Sequence, residues 1–407
     1  MHHTVSTECN GGAMFNPKHI LAVAAALMLF AATAQAQDTN LGTSERSGLA
    51  SFNGDLVKQV EQGCIYIWAM SPGETGLLQP AWIGSGVIFM AVPEEDAAYA
   101  LTNHHVAANT TLLQVESWDN TTYKAQMVAT EPGIDCALIR IEGIPRDAYE
   151  PCILGNSDLV TPGDTALAIG APGFGDASNT ERSDPNISFG LHQSATMAVV
   201  SGRSTNPYLF IRTWAGWKAD LGRQVMTNCP WRFVMEASIS GGNSGGPLFN
   251  ARGECIGLNH AHFGGGAGLS QHENYTIPIN FCKKFAFQIL DTGKYELPWF
   301  GMDVLIPKHF DDGPKTSEFV ERHLEAGILE VFGVRNNSPA KSAGLQQGDL
   351  IVEFDGRVFT DTTELRLYIF NLEIGTQVPV VVERNGVDVE LVLEVGVKRG
   401  YDSEFSL

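Results

Sequence analysis

One serine lies in a turn whose neighbours suit nucleophilic chemistry. Ser244 stands in the run Gly-Asn-Ser-Gly-Gly-Pro that spans residues 242–247. Glycine lets the backbone fold tightly, so the amides of Gly242, Asn243 and Ser244 can converge on the oxyanion that forms during acyl transfer. Such a serine becomes a nucleophile when an imidazole takes its proton and a carboxylate orients that imidazole. The turn therefore needs a histidine and an acid from elsewhere in the chain.

Candidates for both partners precede the serine in the chain. His104 and His105 lie between two apolar runs, and Asp135 comes directly before the apolar run of residues 136–139. The residues alone do not choose between the two histidines, and an aspartate in this place could simply end a loop. The chain order of the candidates is histidine, aspartate, serine.

The segment that carries these residues has the pattern of an all-β domain. From about residue 63 to residue 276, short β-rich runs alternate with Gly, Pro, Asn and Asp, which predicts a barrel or a sandwich. Clear examples are residues 86–90, 165–169 and 197–200. Two stretches break this rhythm, 173–192 and 213–231, and we predict that they are surface loops near the site.

A different pattern follows the β-rich segment. Residues 281–290 predict one helix that ends at Gly293, and residues 294–299 predict a linker. Beyond the linker come an alternating run at 328–334, a helical pattern at 362–372 and two strands at 377–383 and 387–395. The Asn385-Gly386 pair between those strands is a hairpin signal.

Length and charge restrict the protein class. A chain of 407 residues exceeds what one hydrophobic core usually organises, so we expect two or three domains. The formal net charge of -20 repels phosphate backbones and anionic lipid headgroups, which argues against a nucleic-acid partner. No run downstream of the N-terminal apolar segment is long and apolar enough to span a bilayer, so we expect no stable membrane insertion.

The N-terminus predicts an export signal over residues 1–36. Lys18 precedes the apolar run 20–30, and the Ala-Gln-Ala sequence at 34–36 suits signal peptidase. The apolar run is shorter than the roughly 20 residues that span a bilayer, so we expect cleavage before Gln37 and a periplasmic or secreted bacterial protein. Met14 suits the signal better as a start than Met1 does. An uncleaved segment is the alternative and would imply an anchored signalling protease.

Seven cysteines bear on this prediction. Six of them follow the signal region, and an oxidising compartment would permit disulfides. Six cysteines allow 15 pairings, and buried free thiols at Cys136 and Cys255 are an equal alternative. The pairing stays open.

Several motifs taken together resemble the HtrA/DegP family of trypsin-like serine proteases. In order they lie at residues 84–88, 101–106, 134–139, 154–157, 168–172 and 242–247. The resemblance implies a chymotrypsin-like double β-barrel over residues 51–293, preceded by an N-terminal segment at 37–50. It assigns His105, which directly precedes a valine, as the base, Asp135 as the orienting carboxylate and Ser244 as the nucleophile. It also implies homotrimers and no cofactor.

The C-terminal part carries a second resemblance. Residues 337–351, followed by Phe354-Asp355-Gly356, resemble a PDZ domain, which we place at 300–396 with a tail at 397–407. Such domains capture an extended chain end by strand addition. The resemblance assigns Trp299, Phe300, Gly301 and Met302 to the turn that binds the ligand carboxylate.

The residues after the serine turn bear on substrate preference. Leu258, Asn259 and His260 are expected to form one wall of the specificity pocket. No acidic residue is evident for the base of this pocket, so we do not expect a trypsin-like preference for Lys or Arg in the substrate. His260 and His262 could ligate a metal, but their neighbours supply no further ligand, so we predict a solvated loop and no metal. The residues before the nucleophile also depart from the family's usual threonine and aspartate.

The functional hypothesis is an exported, ATP-independent serine endopeptidase of protein quality control. It would cleave unfolded or damaged proteins through an acyl-enzyme, and its PDZ domain would bind chain ends of substrates or regulators. The alternative is a chaperone or scaffold whose triad is at rest or gated.

Overall fold

A computed structural model of the chain describes residues 54–398, apart from several gaps. Residues 74, 93, 109, 172–193, 205–230, 238, 240–241, 261–272 and 306–327 are not described. The predicted signal and N-terminal segment, most of both predicted loops, Cys9, Cys229 and His262 therefore lie outside the described residues. Within the described part, no helix has the length and apolar character needed to cross a membrane.

The first barrel is a closed ring of six antiparallel strands in the order β1-β2-β3-β6-β5-β4. Its elements are α1 (Gly54–Glu61), β1 (Cys64–Pro72), β2 (Leu78–Val92), β3 (Ala97–Thr102), α2 (His104–Ala107), β4 (Leu112–Glu116), β5 (Thr122–Glu131) and β6 (Cys136–Glu142). Side chains of β6 point alternately to two faces. Ile139 and Ile141 fill the barrel, whereas Cys136 and Leu138 join the core between the barrels. This double burial fixes the strand that Asp135 precedes.

The second barrel is also closed and six-stranded, in the order β10-β11-β12-β9-β8-β7. Its strands are β7 (Thr165–Gly170), β8 (Ser194–Ser204), β9 (Arg232–Glu236), β10 (Pro247–Phe249), β11 (Cys255–His260) and β12 (Glu273–Pro278). The strand runs predicted from the sequence lie within β2, β7 and β8. The mostly β, double-barrel fold expected from the resemblance is confirmed.

A helix covers the second barrel before the chain leaves it. This helix, α3 (Ile279–Thr292), ends at Gly293, which is left-handed with φ +71° and donates its amide to the Ile289 carbonyl at 2.9 Å. A left-handed glycine is a common way to end a helix. The predicted helix and its end are confirmed.

The C-terminal part is a second β-rich unit. Its elements are β13 (Leu297–Trp299), β14 (Met302–Leu305), β15 (Leu329–Val334), α4 (Pro339–Ser342), β16 (Leu350–Phe354), α5 (Thr362–Phe370), β17 (Gln377–Arg384), β18 (Val387–Glu394) and β19 (Gly396–Lys398). Strands β14 to β18 form one sheet in chain order, with β14 at one edge. Asn385 and Gly386 both have positive φ in the β17–β18 turn, as the hairpin signal predicts.

The predicted linker is more ordered than expected. Leu297 is buried in the peptidase core, and the Tyr295 ring lies 5.1 Å from that of Phe285. β13 pairs with β19, so the first two residues of the predicted tail, Val397 and Lys398, belong to a strand. The prediction of an unpaired linker and tail was wrong here, because β13 pairs with a strand that lies about 100 residues away along the chain.

Two helices join the C-terminal unit to the peptidase part. The Phe370 ring at the end of α5 lies 4.9 Å, edge to face, from the ring of Phe281 in α3. The Lys284 ammonium lies 4.3 Å from the centroid of the Phe370 ring and donates a hydrogen bond to the Phe370 carbonyl. The two units therefore share part of one hydrophobic core.

The described cysteines are reduced and buried. Cys64 and Cys152 both direct their sulfur atoms at the Val60 carbonyl, at 3.3 and 3.6 Å. Burial raises the pKa of the thiols of Cys64, Cys255 and Cys282 well above the ordinary value. Of the alternatives left open by the sequence, the structure therefore has free buried thiols at Cys136 and Cys255.

Candidate active site

Asp135 lies in the turn between β5 and β6 with an unusual backbone. Its φ of +55° is left-handed, which costs a non-glycine residue about 1–2 kcal/mol. Two hydrogen bonds hold this conformation: the Asn103 side-chain amide donates to the Asp135 carbonyl at 3.0 Å, and the Asp135 amide donates to the Pro132 carbonyl at 3.2 Å. The carboxylate is thereby aimed at the start of α2.

His105 meets this carboxylate twice. Its backbone amide donates to Asp135 Oδ1 at 3.0 Å, and its Nδ1 lies 2.8 Å from Oδ2. The Asp135 side chain is fully buried, whereas that of His105 is 29% exposed. The buried acid therefore holds one edge of an imidazole that solvent and a substrate can still reach.

His104 has a separate role. Its Nδ1 lies 2.5 Å from the Thr130 hydroxyl, and burial lowers the pKa of its imidazole. The residues alone left both histidines open as the base. The structure brings His105 to Asp135 and packs His104 away from this contact.

The charges of the pair support each other. Burial alone would raise the pKa of Asp135, but the neighbouring His105 and hydrogen bonds from His105 and His260 lower it well below the ordinary range. Burial alone would lower the pKa of His105, but the charge of Asp135 and its hydrogen bond raise it above the ordinary value. The carboxylate is thus ionised at neutral pH, as an acid that stabilises an imidazolium must be.

The Ser244 turn is clamped from the first barrel by Ser85. The Ser85 amide donates to the Ser244 carbonyl at 2.8 Å, and the Ser85 hydroxyl donates to the Gly242 carbonyl at 2.7 Å. The same hydroxyl accepts from the Ala171 amide at 3.0 Å, and Thr102 donates to the Ser85 carbonyl at 2.7 Å. The sequence motif at 84–88 contains Ser85 but does not predict this role, because its contacts lie 157 and 86 residues away along the chain.

The conformation of the turn depends on glycine. Gly242 has φ +95° and Gly245 has φ +83°. A Cβ on Gly245 would lie 2.2 Å from the Thr102 hydroxyl and 2.3 Å from the Ser85 carbonyl oxygen. The Gly246 amide closes the turn on the Asn243 carbonyl at 3.0 Å. This tight fold carries the three backbone amides predicted to bind an oxyanion, those of Gly242, Asn243 and Ser244.

β11 holds the other side of the turn, and its side chains are buried. Asn259 exchanges backbone hydrogen bonds with Gly245 and Gly246 at 2.8 and 2.7 Å, and its side chain donates to the Pro247 carbonyl at 3.0 Å. Leu258 belongs to the core. These two side chains do not line an open pocket, so a pocket wall formed here would be backbone. That Leu258 and Asn259 belong to one wall of the specificity pocket stays a prediction.

His260 is buried, in contrast to the prediction that it lies in a solvated loop. It is the last residue of β11, only 7% exposed, and its Nδ1 lies 2.9 Å from Asp135 Oδ2. The solvated loop predicted for it was wrong, because β11 extends through this residue and turns the ring towards Asp135. No local sequence signal marks a contact across 125 residues.

Among the described residues, one group of three side chains could offer ligands to a metal. It consists of Asp135 and the two histidines that contact it. The ligand atoms of His105, Asp135 and His260 lie within 4.8 Å of one another. Both imidazoles already lie at hydrogen-bonding distance from Asp135 Oδ2. Hydrogen bonding accounts for the set without an ion, and the absence of a metal cofactor stays a prediction.

The predicted carboxylate-binding turn lies between β13 and β14. Gly301 has φ +76°, and a Cβ there would lie 2.3 Å from the Cβ of Ser338. Phe300 is buried in the core of the C-terminal unit. Met302 begins β14, which among the described residues has a neighbouring strand on one side only. The four residues are brought to a glycine-dependent turn beside an edge strand.

Comparisons with known proteins agree with this architecture. Residues 84–258 match the trypsin-like peptidase domain, and residues 317–395 match the PDZ domain. A probable periplasmic serine endoprotease, DegP-like, of Pseudomonas putida (strain GB-1) is 30% identical over 326 residues, which cover 79% of this chain and 57% of that protein. The serine protease Do-like HtrA of Bacillus subtilis (strain 168) is 28% identical, with 77% of this chain and 64% of that protein covered.

A solved structure is similar over almost its whole length. The HtrA-type protease AlgW with tripeptide has 26% sequence identity and a TM-score of 0.64, and the match covers 86% of this chain and 98% of that chain. The chain spans less than two thirds of the length of the two curated relatives described above.

Proposed function

We propose that this chain, an HtrA-like protein with a trypsin-like peptidase domain and one PDZ domain, is an exported serine endopeptidase that cleaves unfolded proteins. The observation that carries the proposal is the contact of His105 with Asp135, which leaves the other imidazole nitrogen of a partly exposed ring available as a base. The glycine-dependent Ser244 turn supports it, since it is held by hydrogen bonds from both barrels.

The reaction would proceed through an acyl-enzyme. Asp135 fixes the proton of His105 on Nδ1, so that Nε2 accepts the proton of the Ser244 hydroxyl as its oxygen attacks the substrate carbonyl. The amides of Gly242 and Ser244, with that of Asn243 beside them, would stabilise the oxyanion. The imidazolium then gives its proton to the leaving amine, and water releases the acyl group with His105 again as the base.

The PDZ domain would select chain ends. An edge strand such as β14 offers unpaired backbone groups to an extended peptide, and the turn at Gly301 would place backbone amides near its terminal carboxylate. Partners of this kind are unfolded or damaged proteins and their C-terminal peptides. Binding can be tested with a labelled peptide by fluorescence anisotropy. The same peptide with an amidated C-terminus is expected to bind at least about tenfold more weakly, because a charge-assisted contact is lost.

The relatives' names support the location and not the details of the role. A DegP-like relative is described as periplasmic, and the N-terminal residues predict export. N-terminal sequencing of the exported protein is expected to begin at Gln37. A protein that retains the apolar run 20–30 would instead support an anchored protease.

Casein cleavage by purified mature protein tests the proposed activity. Wild-type protein is expected to cleave, Ser244→Ala to be inactive, and Ser201→Ala, which removes an exposed hydroxyl from β8, to match the wild type. Cleavage by Ser244→Ala at the wild-type rate would overturn the assignment. An inactive wild type that is folded by circular dichroism would overturn the proposed activity.

A further inference from the structure

A second imidazole reaches the carboxylate that orients the base. His260 Nδ1 lies 2.9 Å from Asp135 Oδ2, the same oxygen that His105 Nδ1 approaches at 2.8 Å. The two rings are 5.2 Å apart between centroids and nearly perpendicular, at 80°. Together with the His105 backbone amide at Oδ1, three nitrogen atoms surround one buried carboxylate.

The protons of this arrangement follow from the acceptor. An ionised carboxylate can only accept hydrogen bonds, so each imidazole that contacts it must carry a proton on Nδ1. His105 is left with an unprotonated Nε2 for catalysis. His260, when neutral, is likewise a pure donor to Asp135, and its Nε2 takes no part in the contact.

The surroundings keep His260 neutral. Burial lowers the pKa of its imidazole, the hydrogen bond and charge of Asp135 offset this in part, and the nearby His105 and Arg232 lower it further. Among the described residues, Asp135, His105 and Arg232 are charged or titratable groups that act on this ring. The same carboxylate raises the pKa of His105. The two imidazoles therefore differ: His105 is the more easily protonated, and His260 stays a neutral donor.

His260 also links the two halves of the site. Its neighbour Asn259 exchanges backbone hydrogen bonds with Gly245 and Gly246, directly after the nucleophile. His260 itself contacts Asp135, which precedes β6 of the first barrel. One strand, β11, therefore connects the serine turn of the second barrel to the acid of the first barrel through adjacent residues.

We propose that His260 is a positioning residue for the hydrolytic reaction. Its Nδ1–H donates to Asp135 Oδ2, the oxygen that His105 also contacts, and so holds the carboxylate in the orientation that His105 requires. This inference rests on the proposed function. Because His260 competes for Oδ2, it weakens the pull of Asp135 on the His105 proton. It also prevents the buried carboxylate from rotating away when His105 becomes an imidazolium.

Two substitutions separate positioning from packing. His260→Asn places an amide N–H where Nδ1 stands, so it keeps the donor and removes the ring. His260→Leu keeps a similar apolar volume and removes the donor. A hydrogen bond to a charged group is worth about 1.5–3 kcal/mol, so we expect His260→Leu to lower kcat by about 10- to 100-fold with KM within about twofold. His260→Asn is expected to stay within about threefold of the wild type.

The pH profile gives a readout that a purely structural role would not move. Without the competing donor, Asp135 acts more strongly on His105, so the acid limb of kcat/KM is expected at higher pH in His260→Leu than in the wild type. In His260→Asn the limb is expected near its wild-type position. Equal kcat and equal acid limbs for all three proteins would overturn the inference, while activity of the wild type and inactivity of Ser244→Ala would leave the proposed function intact.

Proton NMR supplies a test that needs no catalysis. In folded Ser244→Ala protein we expect two far-downfield Nδ1–H signals, one from each imidazole. The double variant with His260→Asn is expected to retain only the signal of His105. A single signal that is unchanged by His260→Asn would overturn the inference, and this holds even if His260→Leu fails to fold.

Discussion

The peptidase site and the PDZ sheet differ in which groups their β-strands present: buried side chains in the peptidase site, and the backbone of an edge strand in the PDZ sheet. In the peptidase part Asp135 and the serine turn are buried and supported from both barrels. Asp135 accepts hydrogen bonds from His105 and His260, and Ser85 donates to the serine turn. In the PDZ part the feature expected to bind a ligand is an edge strand, β14, which offers its backbone. In a buried polar site the loss of one hydrogen bond leaves a buried group unsatisfied and impairs the site. An edge strand presents its backbone groups as long as the sheet itself is folded. Substitutions of the same kind should therefore differ sharply in effect between the two regions.

The largest difference is expected for aspartates. Asp135→Asn replaces an acceptor by a group that cannot accept from both imidazoles and that favours the wrong His105 tautomer, so kcat should fall by about 10⁴-fold. Asp388→Asn, an exposed change in β18, should leave kcat unchanged. Peptide hydrolysis by both variants, with their unfolding temperatures, checks this. A loss below tenfold for Asp135→Asn would remove Asp135 from the site.

Two glycines of similar backbone conformation make the next comparison. Gly245 and Gly386 have φ +83° and +80°, but a Cβ on Gly245 would collide with Thr102 and Ser85, while a Cβ on Gly386 meets nothing within 4 Å. Gly245→Ala must displace the serine turn and should cost about 100-fold in kcat. Gly386→Ala should cost only about 1–2 kcal/mol of stability. Equal effects on kcat, measured on the same peptide, would break the comparison.

The contact between the two parts predicts an effect on stability and not on chemistry. Phe370 is buried against Phe281 and Lys284, so Phe370→Ala should lower the free energy of unfolding by about 3 kcal/mol and separate the unfolding of the PDZ part from that of the peptidase part. Phe332→Ala, at a side chain that is 52% exposed in β15, is the matched control with a smaller loss. Calorimetry checks both variants, and one unchanged transition for Phe370→Ala would show that the contact is not stabilising.

The smallest expected effect is a shift in pH dependence. Asp135 raises the pKa of His105, and a base works only when it is unprotonated. Activity should therefore fall as the pH drops through a midpoint above the ordinary histidine value of about 6.5. The pH profile of kcat/KM on a neutral peptide measures this midpoint. A midpoint below the ordinary value would mean that burial outweighs the carboxylate.

Local sequence patterns predict much of the fold. Alternating apolar runs predicted the strands, Gly293 the end of α3, and Asn385-Gly386 the last hairpin. The motifs placed His105, Asp135 and Ser244 in one site, where the structure brings His105 to Asp135. Long-range pairing was not predicted: β13 with β19, Ser85 with the serine turn, and His260 with Asp135 each join residues that local sequence treats separately. Such contacts depend on how the barrels meet, which no short window of sequence contains.

Labelling by a fluorophosphonate probe tests the central claim most directly. Purified mature protein, incubated with the probe and digested, should carry one adduct, located by mass spectrometry on Ser244. The adduct should be absent in Ser244→Ala and strongly reduced in Asp135→Asn, because the base is then misoriented. A folded wild-type protein that stays unlabelled, or an adduct on another serine, would contradict the account.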